Sequence, residues 1–122
     1  MYYHQPKITD ISMLNSSLSD VKYMILDNSV RLVYNDFIAI IQLYPQLITS
    51  EQEGWAIVST LPEGIRPKNA CFAVAYTNDA KTFNVSYVLP LRLTNDGIIS
   101  VYLYADKLSA RPTGQLVFFI DK

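Results

Sequence analysis

Turn signals that recur about every 8 to 12 residues are the feature that most constrains this fold. From residue 30 onward, segments with alternating apolar residues are separated by polar turns, such as Asn35-Asp36, Asn78-Asp79 and Asn95-Asp96-Gly97. Alternation places successive side chains on opposite faces of a strand, so it favours strands over helices. We therefore predict a mainly β protein, an antiparallel β-sandwich or jelly roll of about seven or eight strands.

The strand assignments follow from the same pattern. The stretch VRLVYNDFIAIIQLYP predicts two strands, or one bulged strand, around Asn35-Asp36. Its second half is apolar on both faces, which predicts a central strand that is covered on both sides. Pro90 suggests a sheet edge or a bulge, because proline has no N–H for a ladder. Asp96-Gly97 predicts a type I′ hairpin. Further strands are predicted at 55–60, 69–77, 82–93, 98–104 and 115–121.

The first 27 residues follow a different pattern, because from Ile11 to Ile25 the apolar residues are spaced alternately by three and four positions. This spacing is the seam of a coiled coil, and so short a helix needs a packing partner in water. It predicts a short helical stalk that joins copies of the chain, or an amphipathic helix packed on its own domain, or a non-helical arm. We place an arm at 1–27 and a head at 28–122. The seam residues are Ile11, Leu14, Leu18, Val21 and Ile25.

The composition favours association with another chain. Half of the 122 residues are hydrophobic and 17% are charged, against about 25% in an average soluble domain. A small domain buries a smaller fraction of its surface than a large one, so either the core is dense or part of the surface is covered by another copy. We expect the second arrangement. The net charge of −1 and the scattered Lys and Arg residues predict no nucleic-acid partner, because such partners require a clustered basic patch.

The chain has few residues that could form a catalytic or metal site. It contains one histidine, His4, in the arm, and one cysteine, Cys71, in an apolar run that favours burial. A zinc site needs several such ligands, and most acidic residues fall in predicted turns. We expect no enzyme activity, no cofactor and no metal. No apolar stretch is long enough for a membrane span, and no signal peptide is expected, so we expect synthesis in a cytoplasm and no membrane insertion.

One segment carries a family resemblance. The string GWAIVSTLPEGIRPKNACFAV, followed by LRLTNDGIISVYL and QLVFFID, resembles the head domains of phage tail and baseplate receptor-binding proteins, of the tail-fibre type found in siphophages of Gram-positive bacteria. The similarity spans about residues 30 to 122, and Ile65 departs from the aromatic residue that is more usual there. The matching positions are Gly54, Trp55, Leu61, Pro62, Gly64, Arg66, Pro67, Leu93, Asp96, Gly97, Ile99, Val101, Phe118, Phe119 and Ile120.

The turn within this segment has a structural interpretation. Pro62 fixes φ, Gly64 permits a left-handed residue, and Pro67 prevents pairing before the next strand. Arg66 is expected to fork onto a carboxylate or a carbonyl and hold the turn. Trp55 is expected to be a core or interface anchor, or alternatively a platform for a sugar ring.

The resemblance implies a non-catalytic homotrimer in the virion, at the tail tip or baseplate, that attaches to a host cell-wall polysaccharide beside other tail and baseplate proteins. Saccharide sites combine aromatic faces with amides, acids and arginines. The alternatives are a structural fibre or decoration module that binds no sugar, an adhesion module with one protein partner, and a glycan depolymerase or esterase. The candidate saccharide-binding residues are Tyr76, Asn78, Asp79, Tyr102, Tyr104, Asp106 and Arg111.

The stalk can be tested through its central residue. Leu18→Asp should lower the mass of the oligomer in solution and leave the β content unchanged, because a charge in the seam opposes helix association. Size-exclusion chromatography with light scattering measures the mass, and circular dichroism measures the β content. An unchanged mass would contradict a stalk.

Overall fold

The computed structural model describes residues 21–27, 29–78 and 85–122, which form a curled antiparallel sheet of eight strands and a two-stranded ribbon. The prediction of a mainly β fold is confirmed. No helix in these ranges is long and apolar enough to cross a membrane. The strands are β1 (Lys22–Leu26), β2 (Val30–Tyr34), β3 (Ile38–Leu43), β4 (Ile48–Thr49), β5 (Gly54–Thr60), β6 (Cys71–Asn78), β7 (Val85–Leu93), β8 (Ile98–Leu103), β9 (Ser109–Ala110) and β10 (Pro112–Phe119).

The sheet has the strand order β1-β2-β3-β10-β6-β7-β8-β5, and β4 pairs with β9 in the ribbon. The last strand, β10, therefore lies in the middle of the sheet. Its residues Gly114–Phe119 pair with β3, and its first two residues, Pro112 and Thr113, pair with Thr77 and Tyr76 of β6. The C-terminal strand thus joins the β1-β2-β3 half of the sheet to the β6-β7-β8-β5 half.

Alternation along the strands separates an inner face from an outer face. The inner residues are buried and form one hydrophobic cluster, as a half-buried antiparallel sheet requires. The first half supplies Val30, Leu32, Ala39, Ile41, Leu43, Leu116 and Phe118, and the second half supplies Ala75, Leu89, Leu91, Leu93, Ile99, Val101 and Leu103.

The sheet curls until its two edge strands approach each other. Asp27, just after β1, accepts a hydrogen bond of 2.6 Å at Oδ2 from the Ser59 hydroxyl in β5. Asp27 has φ +50°, a left-handed conformation that Asp tolerates better than most residues. β5 has an irregular register with β8 between Ile57 and Ser59, and a bulge of this kind increases the local bend of a strand.

The predicted helical heptad is wrong at its C-terminal end, because Lys22–Leu26 form a strand. β1 pairs along its whole length with β2, so Ile25 lies in a strand and is 66% exposed, and Val21 immediately precedes that strand. Met24 and Leu26 pack against the core instead, because the period of two in KYMIL matches a sheet with one buried face. The sheet therefore includes residues on the arm side of the predicted boundary at 27. Ile11, Leu14 and Leu18 lie outside the described residues.

The β2–β3 region forms two strands, as one of the alternatives predicted. Asn35 Oδ1 accepts hydrogen bonds from the backbone N–H groups of Phe37 (2.8 Å) and Ile38 (2.9 Å), which shapes the turn. β3 is central, as predicted, but its cover is one-sided: Ala39, Ile41 and Leu43 are buried, whereas Ile40 on the outer face is 37% exposed.

Two other local predictions need correction. Pro90 lies in an interior strand, opposite Val74 of β6, and the pairing of β7 with β8 begins one residue later, at Leu91. Pro90, which has no N–H to donate, therefore lies just beyond the end of the ladder between β7 and β8. In the Asp96-Gly97 hairpin, Gly97 has φ +84° but Asp96 does not have a positive φ. This pattern fits a type I turn followed by a left-handed glycine, not a type I′ turn.

The LPEGIRP turn is held by the contact that Arg66 makes with a carbonyl. Arg66 donates from Nε (3.2 Å) and from one terminal nitrogen (2.9 Å) to the Leu61 oxygen. Ile65 N donates to the Pro62 oxygen at 3.4 Å, and Gly64 has φ +89°, as in a type II turn. The hairpin glycine Gly97 packs against this arrangement, since a Cβ there would lie 2.8 Å from Arg66 Nε.

Gly64 and Gly97 provide a matched test of this contact, because their φ values are nearly equal. Gly64→Ala should destabilise the protein by about 1–2 kcal/mol through backbone strain alone, since a Cβ there meets nothing within 4 Å. Gly97→Ala should cost about 1–3 kcal/mol more, because it displaces Arg66 from the Leu61 carbonyl. Chemical denaturation of both variants measures the difference. Equal losses of stability in the two variants would show that Arg66 can move away from residue 97 without destabilising the protein.

Candidate functional site

The candidate site lies at one end of the sheet, which we call the loop end. In the antiparallel order β6-β7-β8-β5, the end of β6, the start of β7, the end of β8 and the start of β5 all meet there. The start of β10 lies beside the end of β6. The predicted saccharide residues in the described chain belong to these strand ends or to the adjoining loop, so the topology brings them to one end of the protein.

An aromatic cluster on the outer face marks the loop end. Trp55 of β5 is the register partner of Tyr102 of β8, and their rings meet edge to face with centroids 5.4 Å apart. Tyr102 makes a second edge-type contact, at 5.6 Å, with Tyr104. Trp55 is 36% exposed and Tyr104 is 37% exposed, so part of this row of rings remains open to water. We call Trp55, Tyr102, Tyr104, Arg92 and Glu53 the aromatic cluster.

Arg92 joins the cluster from β7. Its guanidinium carbon lies 4.1 Å from the centroid of the Trp55 ring, within the range of a cation–π contact. Ser100 of β8 is the direct partner of Arg92, and its small side chain lets the arginine extend toward β5. Among the described residues, Arg92 Nε and Ser100 Oγ are buried without a hydrogen-bond partner. Such groups are rare in folded proteins.

Glu53 fixes the tyrosine side of the cluster. Its Oε2 accepts a 2.9 Å hydrogen bond from the Tyr102 hydroxyl, and its Oε1 accepts another of 2.9 Å from the backbone N–H of Ala105. One carboxylate therefore holds both the ring of Tyr102 and the turn that follows Tyr104. That turn is closed by the Lys107 N–H, which donates to the Tyr104 oxygen at 2.9 Å.

The hydrogen bond to Glu53 raises the pKa of Tyr102 above its usual value, with smaller contributions from desolvation and from the charge of Glu53. The phenol can donate this bond only while it is protonated. Because the folded pKa lies above the ordinary value of about 10, the contact is fully present below pH 10 and is lost as the pH rises through the raised pKa.

A second group of residues surrounds Tyr87 at the same end of the sheet. The Lys107 ammonium lies 4.2 Å from the Tyr87 ring centroid, and the Tyr87 hydroxyl donates to the Ser109 oxygen at 3.3 Å. Burial raises the pKa of Tyr87, and the charge of Asp106 adds to the rise, whereas a hydrogen bond with Thr77 opposes it. Of the predicted saccharide residues, Asp106 therefore belongs to this second group.

The remaining predicted residues are dispersed. The backbone N–H of Arg111 donates to the Thr77 hydroxyl at 3.1 Å, which places Arg111 beside the second group. Tyr76 is 45% exposed on the outer face of β6, between its partners Thr113 and Val88. Asn78 closes β6 opposite Val85, and Asp79 lies outside the described residues. Only Tyr102 and Tyr104 of the predicted set belong to the aromatic cluster.

Sequence reasoning missed Glu53 and Arg92, and it treated Trp55 chiefly as an anchor. The signal for Arg92 was present, because it is the one charged residue in the segment Val85–Leu93 that forms β7. Glu53 gave no signal, since its partners Tyr102 and Ala105 are about fifty positions away in the chain.

Comparisons with known proteins add no family assignment. No protein-family model matches the chain, and no curated protein is significantly similar to it. Within the part of the chain that the structure describes, no three His, Cys, Asp or Glu residues are grouped closely enough to hold a metal ion.

Replacing Glu53 should change the titration of Tyr102. Glu53→Gln should lower the Tyr102 pKa toward the ordinary tyrosine value, because the amide keeps an acceptor atom but removes the charge. NMR of ¹³C-labelled tyrosine rings resolves the individual titrations. Glu63→Gln, in the turn at the opposite end of the sheet, is the matched control and should have no effect. The same Tyr102 pKa in all three proteins would contradict the Glu53 contact.

Proposed function

We propose that the chain is a virion tail or baseplate receptor-binding module that attaches to a host cell-surface saccharide as a homotrimer without catalysing a reaction. The proposal combines the family resemblance of residues 30 to 122 with the aromatic cluster. In this proposal the head is a β-sandwich or jelly roll, the residues before it form a trimer stalk, and the protein acts at the tail tip beside other baseplate proteins.

The observation that carries the saccharide proposal is the row of rings formed by Trp55, Tyr102 and Tyr104, flanked by Arg92 and Glu53. Aromatic faces pack against the apolar C–H faces of sugar rings, and charged or hydroxyl groups beside them bond the sugar hydroxyls. Glu53 and Arg92 hold the rings in place, so the platform is pre-organised and loses little conformational freedom when it binds.

A structural fibre or decoration module is the second candidate. The observation that favours it is the apolar outer face, where side chains such as Phe72 and Phe119 are 67% and 77% exposed. A module that only assembles would use this face and would need no saccharide site. The two candidates differ in one property, the binding of purified host polysaccharide.

Trp55 is the single tryptophan of the chain, so it reports on the proposed site. Adding a matching cell-wall polysaccharide should change its fluorescence and give a binding curve. Tyr104→Ala should weaken this binding about tenfold, equal to about 1.4 kcal/mol, because it removes an exposed ring from the platform. The control Tyr23→Ala removes a tyrosine that is 72% exposed on β1 and should bind normally.

A panel of purified Gram-positive cell-wall polysaccharides supplies the ligands. A folded wild-type protein that binds none of them would contradict the saccharide proposal and favour the structural module. Release of new reducing ends during the incubation would instead identify a glycan depolymerase.

A further inference from the structure

We infer that the ligand of the aromatic cluster carries an acidic group, a carboxylate or a phosphate, and that Arg92 binds this group. The inference rests on the proposed function, because it assigns an ionic class to the saccharide of the same site. It also gives Arg92 a role beyond its contact with the Trp55 ring: it is the residue that separates acidic from neutral saccharides.

Arg92 is the unpaired charge of the aromatic cluster. Within the described part of the chain, its side chain stacks on Trp55 at 4.1 Å but donates no hydrogen bond. The hydroxyl of its register partner Ser100 is also buried without a partner, so the side-chain oxygen across the ladder does not accept from Arg92. Of the guanidinium nitrogens, only Nε is among the buried unpaired atoms of the described residues. The terminal nitrogens are therefore the part that a ligand can reach.

The strand neighbours of Arg92 supply no negative charge. Its register partners are Phe72 of β6 and Ser100 of β8, and Ser100 pairs in turn with Ile57 of β5. Pro90 lies two positions earlier on the same face of β7. A charged group that is partly withdrawn from water is normally paired. Arg92 therefore has unused capacity for an anion that comes from outside the chain.

The one acid of the cluster, Glu53, does not neutralise Arg92. Its Oε2 accepts a hydrogen bond from the Tyr102 hydroxyl, and its Oε1 accepts one from the backbone N–H of Ala105. Ala105 lies five positions beyond Ser100, the register partner of Arg92. The acid and the arginine therefore lie toward opposite ends of the cluster, and the carboxylate is held by other donors.

The stack on Trp55 prepares the guanidinium for an acidic group. When one face of the guanidinium lies against a ring, its N–H donors remain free at the edge, where they match two oxygens of a carboxylate or a phosphate. The ring also restricts the plane of Arg92 before the ligand arrives, so little side-chain freedom is lost on binding. A charge-assisted hydrogen bond is roughly twice as strong as a neutral one. An acidic substituent therefore gains more from Arg92 than a sugar hydroxyl does.

The neighbouring rings favour an acidic saccharide over a free ion. Trp55 and Tyr104 are 36% and 37% exposed, and their rings can pack against the apolar face of a sugar that is joined to the acidic group. A bare phosphate ion would use Arg92 alone and would gain nothing from the rings. The same cluster therefore offers both contacts that an acidic sugar requires.

Matched sugars test the inference on the full chain. Glucose 1-phosphate, glucuronate and glucose share a ring and differ in charge, and the fluorescence of the single tryptophan, Trp55, measures their binding. At least one of the two acids should bind about tenfold or more tightly than glucose, and a preference for one acid identifies the group as phosphate or carboxylate. Equal dissociation constants for all three sugars, or no binding of either acid, would overturn the inference.

Ionic strength provides a second test on the unmodified protein. Raising it from about 0.01 M to about 0.15 M shortens the screening length from about 30 Å to about 8 Å. The dissociation constants of the acids should rise, whereas that of glucose should not change. A dissociation constant for the acids that is independent of salt would contradict a charge-assisted contact.

Variants of Arg92 assign the preference to this side chain. Arg92→Gln should bind the acids no more tightly than glucose, and Arg92→Lys should lie between it and the wild type, because lysine keeps the charge without the planar fork. The matched control is Arg31→Gln, since Arg31 also lies over a ring, that of Tyr44 at 5.0 Å, and it should keep the full preference. Circular dichroism checks folding. An unchanged preference in folded Arg92→Gln would overturn the role of Arg92.

A direct spectroscopic signature remains decisive if Arg92→Gln does not fold. The Nε–H signal of Arg92 in ¹⁵N-labelled protein is identified by its absence from the spectrum of Arg92→Lys. It should shift when the acid that binds more tightly is added and should stay in place with glucose. A signal that responds equally to both sugars would contradict the inference.

Inorganic phosphate and the polysaccharide panel separate this inference from the proposed function. If the inference fails alone, a polysaccharide binds the wild type and Arg92→Gln with the same dissociation constant. If the saccharide proposal fails alone, no polysaccharide binds, and inorganic phosphate binds at Arg92 as tightly as glucose 1-phosphate does.

Discussion

The position of β10 in the middle of the sheet is the constraint on which the rest of the structure depends. This strand pairs with β6 through Pro112 and Thr113 and with β3 through Gly114–Phe119. Gly114 stands at the change of partner, and a Cβ there would lie 3.1 Å from the Val74 oxygen and 3.2 Å from Ala75 Cα. A side chain at this position would push β6 and β10 apart by a few tenths of an ångström. The core closes only when this last strand has been placed, because it contributes Leu116 and Phe118 between the two halves.

The two ends of the sheet are built differently. At one end, Arg66 ties the LPEGIRP turn to Leu61, Gly97 packs against it, and Asp121 N donates to the Arg66 oxygen at 2.8 Å. At that end, these hydrogen bonds stabilise turns of the backbone. At the loop end, aromatic rings and charged groups stand at the outer surface, held by Glu53 and Arg92. The LPEGIRP turn and the aromatic cluster therefore lie at opposite ends of the sheet.

Much of the fold was predictable because the strands are encoded by local alternation. The β2–β3 hairpin and the strands around 55–60 and 98–104 follow from period two and from turn residues. The sequence did not indicate which face of β3 is buried, because both faces of that strand are apolar. The prediction of secondary structure was wrong where the spacing of apolar residues fits both a helix and a strand. The residues from Val21 to Ile25 fit a heptad and a strand equally well, and contacts of Met24 and Leu26 with the core decided for the strand. The site was less predictable, because Glu53 meets Tyr102 only through strand pairing.

The sequence by itself determined a mainly β protein, its turns and an excess of apolar residues, since these depend on spacing of a few residues and on composition. The tertiary structure decided the strand order, the location of the excess apolar residues on the outer face, and the meeting of Trp55, Tyr102 and Arg92 at one end. These properties depend on pairings between distant segments. Local side-chain preference does not specify such pairings, and the packing of the whole core selects among them.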